Sequence, residues 1–171
     1  MVSQTFFFAI IGCVAIQRLF ELLKSNRHRK ILLAQGGVEY ASGHYKYMVL
    51  LHASWFVSMI LEVHFLNRPF YLWLFVLALL GMLAGNTLRY TSMKTLGIRW
   101  NTRIIILPGK APIHTGLYRY LRHPIYVGVC FEIAFIPLLH TAYLTAIIFT
   151  ILNAILLRTR IREEEKALCM T

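Results

Sequence analysis

The chain has 171 residues, 58% of them hydrophobic, with 18 Lys and Arg against seven acidic residues. A soluble domain of this length cannot bury so much apolar surface, and ordinary globular chains carry about 25% charged residues where this one has 15%. The composition therefore excludes both a soluble enzyme and a disordered chain, and predicts a single all-α integral membrane domain spanning 1–171. All seven acids are glutamate, which excludes Asp-based triads, Walker B sites and EF-hand loops. No GxGxxG or Walker A spacing occurs. The three isolated cysteines suggest neither a disulfide framework nor a zinc site, and the scattered histidines predict no metal.

Five apolar stretches follow in chain order, at 5–23, 47–66, 70–90, 124–139 and 141–157. The first three match a hydrocarbon core of about 30 Å. The first lacks a basic n-region and a small-residue cleavage site, so it reads as a retained span. After it, Gly36, Gly37 and Gly43 end any helix near Ala34. In the third stretch, Gly81 and Gly85 form a GxxxG that lets another helix approach closely. The last two stretches are shorter and separated by His140 alone, which predicts a tight antiparallel hairpin that Pro137 helps to terminate.

The basic residues divide by connection. Lys24, Arg27, Arg29, Lys30 and Lys46 follow the first stretch, seven lie at 89–122, and Arg158, Arg160, Arg162 and Lys166 follow the fifth. The positive-inside rule then predicts an outside N-terminus and a cytoplasmic C-terminus. The pI of about 10.0 is explained by topology, without nucleic acid as a partner. A long connection and a charged tail on one side make 91–128 and 158–168 the expected functional region.

The run Thr115-Gly-Leu-Tyr-Arg-Tyr-Leu-Arg-His-Pro-Ile-Tyr-Val-Gly128 carries most information. Pro124 suits the first turn of a helix, which places Arg122 and His123 at a helix mouth whose free N–H groups favour an anion. An interfacial anchor of snorkelling Arg and headgroup-level Tyr is the plainer reading. The tail Arg158-Thr-Arg-Ile-Arg-Glu-Glu-Glu-Lys-Ala-Leu168 returns beside that mouth, so Glu163 and Arg122 are expected neighbours. Arg160 and Glu164, four apart, are expected as a surface pair. Arg18 and Glu21 read as a helical pair of structural kind. Glu132, deep in the fourth stretch, needs a partner, and Thr150 or Asn153 is the expected one. His52 and Glu62 stay ambiguous.

These two motifs, in this order across a hairpin of this length, resemble the isoprenylcysteine carboxyl methyltransferases and their bacterial relatives. The resemblance covers about 86–168. The small size, Arg99-Trp-Asn-Thr-Arg103 and Arg18-Leu-Phe-Glu21 look most like a bacterial branch, of which some members are associated with methylating lipidic phenols or alkylpyrones. Eukaryotic members usually continue past the acidic run, where this chain has Thr171 as its last residue. The resemblance implies an S-adenosylmethionine-dependent O-methyltransferase of the bacterial cytoplasmic membrane, acting on a lipidic acceptor. It implies Arg122 and Glu163 as catalytic residues. As cofactor-lining positions it implies Thr115, Gly116, Tyr118, His123, Pro124, Tyr126, Gly128, Arg160 and Glu164.

The acceptor stays open between a carboxylate, already ionised at neutral pH, and a phenol or enol that needs a base. The rival readings are an NADPH-dependent reductase on the same scaffold and a non-enzymatic membrane assembly or transport protein. Thin helix walls at Gly81, Gly85 or Gly128 are candidates for a lateral lipid portal.

Overall fold

The structure, a computed structural model, describes residues 2–169; Met1 and the tail residues Met170 and Thr171 lie outside it. Five helices carry the chain: α1 (Val2–Ala34), α2 (Tyr45–Phe65), α3 (Leu72–Leu96), α4 (Pro124–Leu138) and α5 (Tyr143–Cys169). α1, α2, α3 and α5 are long and apolar enough to cross a membrane, and α4 is a shorter apolar helix. Many large apolar side chains remain exposed along them, including Leu50, Val57, Leu80, Ile147 and Ile155. That is the surface a bilayer would cover.

The 33 residues of α1 rise about 50 Å, well beyond a hydrocarbon thickness. Its last three turns bury one stripe, Ser25, His28 and Leu32, at helical spacing. Trp100 covers that stripe: its carbonyl lies 2.8 Å from His28 Nδ1. Asn101 Nδ2 donates to the Ser25 carbonyl at 2.9 Å, and the Thr102 N–H donates to Ser25 Oγ at 2.9 Å. The helix ends as expected at Ala34. Gly36 takes φ +84°, and Gly37 N–H donates to the Leu32 carbonyl at 2.9 Å, a left-handed helix stop that glycine permits.

An element absent from the all-α expectation follows. β1 (Val38–Tyr40) pairs antiparallel with β2 (Ile104–Ile106), Glu39 opposite Ile105. Ile104 and Ile105 are buried. The β-branched triplet favours extended backbone, but three residues are too few to show a strand period. The long connection is thus tethered to the end of α1.

α3 and α4 pack through small residues. A Cβ on Gly81 would run into the Phe135 ring, and one on Gly85 would meet Phe131 Cβ at 2.8 Å and the Gly128 carbonyl at 2.9 Å. The GxxxG is a packing seam, as expected. Phe131, Phe135 and α3 itself fill the walls that were candidates for a lateral portal.

The hairpin differs in detail from its expectation. Its turn takes Leu139–Ala142, with Thr141 at φ +55°, and α5 then runs unbroken through the charged tail. Glu62 holds that hairpin: its carboxylate accepts from the N–H groups of Leu144 and Thr145 at 3.0 and 2.7 Å and from Arg68. A carboxylate at a helix start satisfies donors that have no partner within the helix. The apolar core, including Phe7, Trp55, Met59, Ile133 and Phe149, lies between these helices.

Candidate active site

Two polar assemblies occupy the bundle end that gathers the long connection and the tail. The deeper one joins three helices. Arg18 Nη1 donates to Glu21 at 2.6 Å and its Nη2 to Glu132 at 2.6 Å, while Arg89 donates to Glu132 at 3.1 Å and also to Glu21. Each arginine thus meets both glutamates in a closed, charge-balanced ring. Gln17 adds bonds to Glu21 and Asn86 at 3.1 and 3.0 Å. The expected partners of Glu132 are corrected here. Asn153 contacts Cys130 Sγ instead, because α1 and α3 bring guanidinium groups to the α4 carboxylate. Arg89, seen in sequence only as part of a charge cluster, is the residue that was missed. The available signal was the absence of a matching cation for Glu132 on its own hairpin.

The second assembly sits at the mouth of α4. His123 is the residue before the helix and Pro124 its first, buried residue, as the Pro rule predicts. The rings of His123 and Tyr126 stack at 5.3 Å and 16°. The Tyr126 hydroxyl accepts from Arg160 Nε at 2.8 Å and donates to Glu164 in a very short bond. Arg160 is only 4% exposed, and its other end donates to the Thr102 carbonyl at 2.8 Å. The expected surface pair of Arg160 with Glu164 is therefore corrected: Tyr126 stands between them, and Arg160 is buried by β2 and α2. His123 Nδ1 lies 4.0 Å from Glu164, and its Nε2 lies 3.4 Å from Glu165.

The remaining positions divide. Tyr118 lies in the 3-10 turn Gly116–Arg119, and burial, with Glu164 nearby, pushes its phenol well above the usual range. It stays a protonated donor at neutral pH. Arg122 is almost fully exposed and meets Glu165 at 3.8 Å, whereas Glu163 pairs with Lys166 at 2.9 Å. The neighbour that the hairpin brings to Arg122 is thus Glu165, two residues beyond the expected one. Thr115 is exposed just before the turn. Gly116, at φ +57°, packs on Thr95, and a Cβ on Gly128 would meet Arg89 Cγ at 2.5 Å and the Gly85 carbonyl at 2.7 Å. The bare face of Gly128 is occupied by α3, which is why glycine is needed there.

Residues 76–170 match the Isoprenylcysteine carboxyl methyltransferase (ICMT) family. That segment contains both motifs and the whole of the Tyr126 assembly. The chain belongs to the isoprenylcysteine carboxyl methyltransferase family. Its similarity extends further than the family segment. It is 37% identical over 163 residues to an uncharacterized protein, YpbQ, of Bacillus subtilis (strain 168), covering 95% of this chain and 96% of the relative. It is 27% identical over 158 residues to an uncharacterized protein of Haemophilus influenzae (strain ATCC 51907 / DSM 11121 / KW20 / Rd), covering 92% and 91%. No solved structure matches. Membership in the isoprenylcysteine carboxyl methyltransferase family, with several apolar helices, suggests an integral membrane methyltransferase. No group of three or more metal-ligating side chains occurs among the described residues.

Proposed function

We propose that the chain is an S-adenosylmethionine-dependent O-methyltransferase that methylates a lipidic acceptor at the cytoplasmic face of the membrane. The observation that carries the reading is the joining of both family motifs across the hairpin: Arg160 and Glu164 of α5 meet one Tyr126 hydroxyl of α4. Family membership supplies the reaction class. The basic clusters at that bundle end support the cytoplasmic side.

The residues present suit such a cofactor. Glu164 and Glu165, beside His123, provide carboxylates for an ammonium or ribose hydroxyls. His123 at the α4 start, with Arg122, suits a carboxylate by charge-assisted bonds. The aromatic faces of Tyr118 and Tyr126 suit a sulfonium, a contact worth about 0.5–2 kcal/mol. When bound, S-adenosylmethionine supplies an electrophilic methyl group.

The chain's own task is then alignment, since in-line displacement depends on positioning. Arg160, fixed by the Thr102 carbonyl, holds Tyr126, and Tyr126 holds Glu164. Arg122 orients the acceptor oxygen and offsets its charge. Glu163, with Lys166 on the same turn, organises the meeting point of cofactor and acceptor. Membranes incubated with methyl-labelled S-adenosylmethionine and lipid extract should yield a labelled lipid. A base-labile product identifies an ester and a base-stable one an ether. Arg122→Ala and Glu163→Ala membranes should lose most of that label; wild-type rates in both would overturn their roles. Purified protein should bind S-adenosylhomocysteine and not NADPH, and the reverse would reassign the scaffold to reduction.

A further inference from the structure

Serine and threonine hydroxyls inside helices often fold back on the preceding turn. Ser54, Thr87, Thr91 and Ser92 do so, each donating to the carbonyl four residues before it at 2.6–2.8 Å. Ser25 of α1 is used differently. It is buried, and its Oγ accepts from the Thr102 N–H at 2.9 Å while lying 2.8 Å from Thr102 Oγ1 and 3.1 Å from Asn101 Oδ1. Its carbonyl accepts from Asn101 Nδ2 at 2.9 Å. Residues 100–103 belong to no helix or strand. These bonds, with that of His28 to the Trp100 carbonyl, are therefore what hold that stretch against α1.

What the stretch presents is the Thr102 carbonyl, which accepts from Arg160 Nη2 at 2.8 Å. That carbonyl shares one peptide group with the Arg103 N–H, and this N–H donates to Asn101 Oδ1 at 2.8 Å. A peptide group is planar, so a bond at its N–H end fixes where its C=O end points. Ser25 pins the same residue from the other side, through the Thr102 N–H. Arg160 has few other holds: besides the Tyr126 hydroxyl, its contact among the described residues is the Met48 sulfur at 3.2 Å, a weak acceptor. We propose that Ser25 and Asn101 are positioning residues for Arg160. Through them α1 sets the Thr102–Arg103 peptide that orients the guanidinium, and Arg160 carries that alignment to Tyr126 and Glu164. Ser25 precedes the 76–170 segment matched to the family, so the site leans on a part of the chain outside that segment. The consequence for turnover rests on the methyltransferase reading. A misplacement of about 1 Å arising far from the chemistry can cost about a hundredfold in rate.

The Arg160 Nε–H, donating to Tyr126, gives a reporter independent of turnover. In detergent-purified protein carrying isotope-labelled arginine, its NMR resonance is assigned by its loss in Arg160→Lys, and its hydrogen exchange is followed. Ser25→Ala and Asn101→Ala should each speed that exchange about tenfold, the scale of one or two lost hydrogen bonds. Leu32→Ala, an apolar member of the same buried α1 stripe, should lower melting and leave the exchange unchanged. Asn101→Ala alters no helix, so it decides the question even where Ser25→Ala fails to fold. Wild-type exchange in Asn101→Ala overturns the link, and equal loosening by Leu32→Ala reduces Ser25 to a fold contact and overturns it too. In single-turnover methyl transfer at saturating cofactor, Ser25→Ala should slow the step about tenfold with the acceptor KM unchanged. In an Arg160→Lys background it should add no further loss, because residues that act through one another are not additive. A full additional loss there would overturn the route through Arg160. If the exchange responds as expected and wild-type membranes transfer no methyl group, the methyltransferase reading falls and the link stands. If wild-type protein methylates and the exchange does not respond, only this inference falls.

Discussion

The two polar assemblies at this end of the bundle hold similar residues and do opposite things with them. In the deep ring, Arg18 and Arg89 each face both Glu21 and Glu132, so every charge is cancelled on the spot. At the α4 mouth, Tyr126 separates Arg160 from Glu164, Glu165 holds its neighbours at 3.4 and 3.8 Å, and three arginines line an open groove. The ring turns its donors and acceptors on one another, with Arg89 Nε the ring donor left without a partner among the described residues; its work is to fasten α1 to α3 and α4. Exposed charge beside a partly buried polar cluster is what a binding site requires. Charge alone does not mark function. Charge without a local partner does.

The sharpest way to break this contrast is to open the ring. Arg89→Ala leaves Glu21 and Glu132 short of a cation, and removal of one partner from a buried ion pair costs about 3–5 kcal/mol. A large fall in melting temperature of detergent-purified protein is expected, while Arg122→Ala, at an almost fully exposed site, should leave melting unchanged. Equal melting of both variants would show that the ring fastens nothing.

A second test strikes the seam between the regions. The Cβ of Gly85→Ala would lie 2.8 Å from Phe131 Cβ and 2.9 Å from the Gly128 carbonyl. Backbone must shift, at a cost of about 1–3 kcal/mol. Because Gly128 stands half a turn beyond Tyr126, methyl transfer should fall along with stability. Stability that falls with full activity would mean that the α4 mouth is positioned without α3.

Tyr126→Phe sharpens the comparison from the other side. It deletes the hydroxyl between Arg160 and Glu164 and keeps the ring stacked on His123. The loss of stability should be about 1–3 kcal/mol, the range for leaving buried polar groups unpaired, but methyl transfer should drop about tenfold or more, the equivalent of ~1.4 kcal/mol in the barrier. Single-turnover rates and S-adenosylhomocysteine affinity separate misalignment from lost binding. An unchanged rate would remove Tyr126 from the positioning role.

The elements most legible in sequence were those with a long period or a special residue. The Pro124 helix start, the helix stop near Ala34 and the GxxxG seam all follow from local rules, and all are present. The convergence of the two motifs was legible because the hairpin is short. What sequence concealed was lateral. No local pattern says that Arg89, 43 residues from Glu132, is its counter-ion, since several helices around a bundle compete to supply one. Nor does a three-residue strand announce itself. Register along α5 was also hidden, because a run of three glutamates leaves open which one turns to Tyr126 and which to Arg122.

The small sheet offers the mildest test, at a site outside both assemblies. Burial alone would raise the pKa of Glu39, but Arg103 and Arg29, at 2.6 and 2.9 Å, outweigh it and hold the carboxyl below its usual range. A carboxylate with a depressed folded pKa adds stability that is complete above the unfolded value, about 4.3, and that is lost as pH falls through the folded value. Glu39→Gln should therefore lower melting slightly at neutral pH and flatten its decline below about pH 4. The effect belongs to partly exposed pairs, so it should shrink with added salt. The ring of Arg18 and Arg89, deep between helices, should respond far less to the same salt, because buried pairs are screened less. If both respond alike, the ring is open to water and the distinction between a closed clamp and an open site fails at its first premise.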